Sequence, residues 1–277
     1  MQLQGHLYHT TWIPFTKPKW SAISFPHENQ CPRKSISVVT YNIWFDGLLQ
    51  KERYSALLQE ISKYNPDVVC LQECNHQSQK IFTENQFIQE NYILSDINTS
   101  TFDCWYGITI MLRKDLNIIS IEKIPFESRM GRYLAKAVIK VDGKQVSIGT
   151  SHFESGFNDL EYRKNQWEVS SANLPDASIL CGDFNVHDDH IESEALFKLD
   201  WKDSWHTAEK KPKDLERDGI TFGIWKGGNN RRLDRILYRG YLKPVSIQTI
   251  GDAPLEGYPS TVYISDHFGV YATFEIE

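Results

Sequence analysis

Apolar runs of strand length recur through the chain, and several stop abruptly on a carboxylate, a carboxamide or an imidazole. Val38-Val-Thr-Tyr41 stops at Asn42, and Val68-Val-Cys-Leu-Gln72 stops at Glu73. Val146-Ser-Ile-Gly149 leads to His152. Ser178-Ile-Leu-Cys181 ends at Gly182 and presents Asp183 and Asn185. Arg232-Leu233 leads into Asp234, and Ile264-Ser265 reads as a strand leading into Asp266 and His267. Strands that are apolar throughout, rather than alternating, are buried on both faces. A sheet made of them needs cover on each side. Two sheets packed face to face with helices outside meet that need, which is an α/β sandwich. If the polar stops share one sheet end, they form a single cluster.

The remaining elements fit this frame. Tyr54, Leu57, Leu58 and Ile61 have helical spacing, and Asn65-Pro66 ends that helix. One helix is expected over residues 77–89, and another, capped by Asn158, over 159–172. Residues 191–197 read as a short helix or turn. Asp142-Gly143 between two apolar runs is a hairpin signal. Residues 1–34 carry Trp12, Pro14, Phe15, Pro18, Trp20 and Pro26 without periodicity, and read as an extended N-terminal arm. No linker divides residues 35–277, which are expected to form one catalytic domain.

Composition narrows the partners. The formal charge is −6, so a grip on many phosphates of long duplex DNA is not expected. Any nucleic-acid contact should be local. The five cysteines are odd in number and include no C-x-x-C, which argues against structural zinc or a disulfide framework and suits an intracellular, reducing compartment. No apolar stretch approaches the ~18 residues of a membrane span. The first residues lack the basic start and apolar stretch of a secretory signal.

The chemistry follows from the polar stops. Glu73, Asp183, Asp234 and Asp266 would repel one another in one place unless a cation or protons sit among them. Hard oxygen donors without paired cysteines suit Mg²⁺, or Mn²⁺, rather than zinc. Asn42, Asn185, His152 and His267 supply donors for a phosphate and its developing charge. No Walker-type loop and no Gly-x-Ser-x-Gly occurs, so Gly227-Gly-Asn-Asn230 is a tight loop. Metal-assisted attack of water on a phosphate ester fits best. Taken singly, each residue has an ordinary explanation: Asp234, between Arg232 and Arg235, would be an ion pair. Their common position and order argue for a site.

Thr40-Tyr-Asn-Ile43, Leu71-Gln-Glu73, Ser151-His152, Gly182-Asp-Phe-Asn185, Leu233-Asp-Arg-Ile236 and Ser265-Asp-His267 resemble the ordered motifs of the DNase I-like endonuclease/exonuclease/phosphatase superfamily. The resemblance implies a four-layer α/β sandwich with its site at one edge of the two sheets. Ile124-Pro-Phe-Glu-Ser-Arg-Met-Gly-Arg-Tyr-Leu134 and Thr150-Ser-His-Phe-Glu-Ser155 further resemble the 5′-tyrosyl-DNA phosphodiesterase family, over roughly residues 35–277. What that implies is a Mg²⁺-dependent phosphodiesterase that frees a DNA 5′-phosphate from a trapped topoisomerase tyrosine, a DNA-repair reaction on a 5′ end or single strand. Glu73 would bind the metal, with Asp266 near it and Asn42 beside it. Asp183 would orient or deprotonate the attacking water. Asn185, His152 and Ser155 would hold the phosphate, and His267, oriented by Asp234, would stabilise the transition state. Arg132 would touch substrate, and Phe222 with Trp225 would support the single strand. His187 stands where the family has an arginine, and would be charged only at lower pH. A monomer without a membrane partner is expected. Two alternatives are the same chemistry on another phosphoester (nuclease, RNA 3′-tail exonuclease, phosphoinositide phosphatase or sphingomyelinase) and a non-catalytic binding module.

Overall fold

The computed structural model describes residues 8–11, 19–22, 33–186, 200–210, 218–223 and 230–277. Two β-sheets form its centre. The larger has the order β13-β14-β3-β4-β6-β5-β1-β2 and the smaller β11-β12-β10-β9-β8-β7. In chain order the strands are β1 (Tyr8–Thr11), β2 (Lys19–Ala22), β3 (Ser35–Asn42), β4 (Val68–Asn75), β5 (Tyr92–Leu94), β6 (Tyr106–Arg113), β7 (Asn117–Pro125), β8 (Tyr133–Val141), β9 (Lys144–His152), β10 (Ser178–Asp183), β11 (Lys202–Asp203), β12 (Asp234–Arg239), β13 (Leu242–Ile250) and β14 (Gly269–Ile276). Helices α1 (Gln50–Tyr64), α2 (His76–Glu84) and α3 (Gln86–Asn91) cover the larger sheet, and α4 (Leu160–Asn173) covers the smaller.

The apolar runs lack alternation because successive residues enter different cores. Val38 and Val68 lie between the sheets, whereas Val39 and Val69 face α1. Ile179 and Cys181 lie between the sheets, whereas Leu180 joins Trp167 of α4. Helix, sheet, sheet and helix make four layers, as the resemblance implied. The Asp142-Gly143 hairpin forms, with φ of 48° and 78° at the two residues, the left-handed pair of a tight hairpin turn.

Three expectations are corrected. Residues 77–89 form two helices, because Asn85 leaves helical geometry and its side chain caps Ile88 N–H of the second. The N-cap of α4 is Asp159, not Asn158. Residues 264–265 form no strand; they are held as a loop before β14. The short element expected at 191–197 lies outside the described residues. Of the N-terminal arm, β1 and β2 pair with each other, and β1 meets β5 through Tyr8 and Leu94.

Candidate active site

The site lies where the C-terminal ends of β3, β4, β9 and β10 meet the start of β12. Strand register places it. Asp183 is the partner of His152 across the parallel β9–β10 pair and of Asp234 across the antiparallel β10–β12 pair. Gly182 permits this: it has φ +138°, and a Cβ there would sit 1.9 Å from the Ser151 carbonyl oxygen. A side chain would drive the two strands apart.

Glu73 reaches the site by a different device. In a regular strand it would follow Leu71 toward the helix layer. A register shift between Leu71 and Cys74, with φ +61° at Glu73, turns its side chain toward the sheet end. Gln72 meanwhile points between the sheets, donating to Thr150 Oγ1 at 3.0 Å. Trp44 and Asn185 also adopt positive φ, 56° and 52°. Strained backbone of this kind is held by its surroundings.

The polar groups converge on Asp183, which is 1% exposed. Its Oδ2 accepts from Asn42 Nδ2 at 3.0 Å and lies 3.3 Å from His152 Nε2 and 3.8 Å from His267 Nε2. Its Oδ1 accepts the Asn185 backbone N–H at 3.0 Å. The same Asn42 amide donates to Glu73 Oε1 at 3.3 Å, while Glu73 Oε2 accepts Phe45 N–H at 3.0 Å. His267 Nδ1 meets Asp234 Oδ2 at 2.7 Å. Ser265 Oγ donates to the Asn42 carbonyl at 2.6 Å, fixing the loop that carries His267.

Charge is distributed unevenly among these groups. Burial opposes a proton on His267, but Asp234 and Asp183 overcome it and push the imidazole up to about 10. Burial also pushes Asp183 up, yet His152 and His267 bring its carboxyl below the ordinary range. His152 is held well below its usual range by burial and by Arg132. It is therefore neutral. Arg132 donates to its Nδ1 at 2.8 Å, which leaves the proton on Nε2 facing Asp183.

The donor set fits a hard divalent cation. Burial raises Glu73, and Asp266 adds repulsion, so a cation beside these oxygens relieves both. Another group of possible ligands, Asp183, Asp234 and His267 within 4.8 Å, is different: its two carboxylates already share the His267 imidazolium. Glu73 and Asp266 are the oxygen donors that could hold such a cation.

Other expected residues fall as follows. Asn185 donates to the Phe153 carbonyl at 3.0 Å. Ser155 is exposed beside Met130 Sδ, 3.4 Å away. Arg132, expected to touch substrate, is 7% exposed and its guanidinium lies over the Tyr106 ring at 5.3 Å, next to His152. The Phe222 ring lies 4.9 Å from the His267 imidazole. Asp266 is half-buried next to His267. His187 and Trp225 lie outside the described residues.

Sequence reasoning missed Arg53. Its fully buried guanidinium donates to the carbonyls of Ile43, Trp44, Asp46, Leu48 and Ile264. It ties the loop carrying Phe45 to the loop before His267. In sequence it is one more charge on α1, with nothing to mark it. Arg53→Met should strand several buried carbonyls and lower unfolding free energy by about 3 kcal/mol or more, read by denaturant titration.

The endonuclease/exonuclease/phosphatase family profile matches residues 39–267. Tyrosyl-DNA phosphodiesterase 2 of Xenopus laevis is 26% identical over 86% of this chain and 66% of its own length. The chain thus spans just under two thirds of that relative. Among solved structures, humanized D. rerio TDP2 aligns with TM-score 0.74 at 26% identity, covering 87% of this chain and 99% of that one. D. rerio TDP2 complexed with single strand DNA product aligns with TM-score 0.70 at 25% identity, covering 87% and 99%. Among the described residues no helix is long and apolar enough to cross a membrane.

Proposed function

Because this chain belongs to the endonuclease/exonuclease/phosphatase family, we propose that it is a Mg²⁺-dependent phosphodiesterase that hydrolyses the bond between a tyrosine and a DNA 5′-phosphate. The observation that carries the chemistry is the convergence of Asn42, His152 and His267 on Asp183, with Glu73 one hydrogen bond away through Asn42. The substrate is supported by relatives named tyrosyl-DNA phosphodiesterase 2, one of them solved with a single-strand DNA product.

Mg²⁺ held by Glu73 and Asp266 would supply neutralising charge to the phosphate. Asp183 is kept ionised by its two imidazoles and stands as the acceptor for the proton of the attacking water. His267 presents an imidazolium, locked by Asp234, to charge that develops as the bond to the tyrosine oxygen breaks. Asn185, the Nε2–H of His152 and the exposed Ser155 hydroxyl are the donors for phosphate oxygens, while Asn42, whose two amide hydrogens go to Glu73 and Asp183, orients those carboxylates. Phe222, with His187 and Trp225 that lie outside the described residues, completes the substrate contacts, and Arg132 stands behind them on His152. The products are a DNA 5′-phosphate and free tyrosine. The net charge of −6 suits a monomer that engages one frayed end. Cys70, Cys74, Cys104 and Cys181 are free thiols, consistent with action inside the cell.

The test is release of tyrosine from a short single-stranded oligonucleotide with a 5′-phosphotyrosyl end, in Mg²⁺ and in EDTA. A 3′-phosphotyrosyl oligonucleotide and an abasic duplex run alongside. Cleavage of the 5′ adduct in Mg²⁺ alone is expected. Turnover of another phosphoester without the 5′ adduct would move the substrate elsewhere, and metal-independent binding without turnover would leave a binding module.

A further inference from the structure

Glu154 is wholly buried and stands outside the cluster just described. It follows Phe153 directly after β9, in the Ser-His-Phe-Glu-Ser stretch that carries His152. Its Oε1 accepts the backbone N–H groups of Arg129 at 2.7 Å and Met130 at 3.0 Å. Its Oε2 accepts Ser128 Oγ–H at 2.9 Å and Gln166 Nε2–H at 3.0 Å. These four described partners are neutral donors, all aimed at one carboxylate. A buried charge is tolerated only where donors meet it in this way.

The segment so gripped leads to the site. Ser128 Oγ accepts the N–H groups of Met130 at 3.1 Å and Arg132 at 2.8 Å. Gly131, at φ +68°, turns the chain there; a Cβ would come within 3.3 Å of Asp103 Cβ. The turn delivers Arg132, whose guanidinium donates to His152 Nδ1 at 2.8 Å. That bond selects the imidazole tautomer whose Nε2–H faces Asp183.

We propose that Glu154 is a positioning residue: its carboxylate fixes residues 128–132 so that Arg132 sets the tautomer and orientation of His152. Only a carboxylate serves. Gln166 Oε1 accepts Glu154 N–H at 2.9 Å, so its Nε2 must point at the side chain of residue 154. An amide there turns a donor against Gln166 and Ser128, or against the two backbone N–H groups. The role rests on the phosphodiester reading of the site, because the orientation of His152 matters to that reaction.

The test uses Glu154→Gln, Arg132→Met and their combination, with Ser128→Ala as a milder variant should Glu154→Gln fail to fold. Turnover is measured on the 5′-phosphotyrosyl oligonucleotide and on the p-nitrophenyl ester of thymidine 5′-phosphate. The His152 tautomer is read separately by ¹⁵N NMR of metal-free protein. Glu154→Gln and Ser128→Ala are each expected to lower kcat about 10- to 100-fold, with KM nearly unchanged. Both should also mix the His152 tautomers, which are a single Nε2–H form in the wild type. The double variant should be no slower than Arg132→Met alone, since both act through one contact. Multiplied losses in the double variant, or an unaltered His152 tautomer in the single ones, would overturn the proposal. Tautomer mixing in a protein whose wild type cleaves neither ester would sink the phosphodiester reading and leave the positioning role standing.

Discussion

Asp183→Asn is expected to lower turnover of the 5′-phosphotyrosyl oligonucleotide by at least about a hundredfold while the domain still folds. The reason lies in what the carboxylate does at once. Its Oδ2 faces the Asn42 amide, the His152 Nε2–H and the His267 imidazolium, and its Oδ1 caps Asn185 N–H. An asparagine keeps the shape but supplies one acceptor where two are used. It also removes a group that can take a proton from water while held ionised by its neighbours. The buried charge disappears with it, so the folding penalty is offset by easier desolvation. Circular dichroism and thermal melting close to wild type, with rapid-quench turnover collapsed, is the expected pair of results. Near-normal turnover would remove Asp183 from the reaction.

His267→Ala should lose as much turnover, and here stability should fall too. The imidazolium is the partner of Asp234, whose Oδ1 has no hydrogen bond among the described residues. Removing it leaves a buried carboxylate uncompensated, a loss of about 3–5 kcal/mol. His267→Ala combined with Asp234→Asn should recover most of that stability and none of the turnover. The pH dependence has a definite sign. The folded-state value, about 10, lies above the ordinary 6.5, so the stability from this proton is complete below pH 6.5 and is lost as pH rises through 10. The gap in melting temperature between wild type and His267→Ala should therefore shrink on going from about pH 6 to about pH 10.5. A gap that stays constant across that range would mean His267 is not the proton carrier.

Much of the fold was legible because its physical demand is written in one dimension. Val38-Val39, Val68-Val69-Cys70-Leu71 and Ile179-Leu180-Cys181 are apolar at consecutive positions, and only a sheet covered on both faces can use them. Helix ends were less legible. Asn85 can sit inside a helix or cap one, and the packing of Ile88 and Phe87 against the larger sheet's outer core chose the cap. Ile264-Ser265 looks like a strand by composition. Arg53 and Ser265 instead hold it as a loop, because the backbone there bonds to side chains rather than to a neighbouring strand.

The polar groups divide in the same way. The chain alone determined that Asn42, Glu73, His152, Asp183, Asp234 and His267 stand at or beside the ends of apolar runs, since that is a matter of local order. Only the tertiary structure decided which of them touch. The parallel register of β9 and β10 set Asp183 against His152, and the bulge in β4 turned Glu73 away from the helix layer. Burial and neighbouring charge then decided ionisation: the Asp234 and Asp183 carboxylates hold a proton on His267, whereas burial, with the Arg132 charge beside it, keeps His152 neutral. Two histidines with the same side chain thus take opposite states, because ionisation depends on the distance to other charges and to water, which spacing along the chain does not contain.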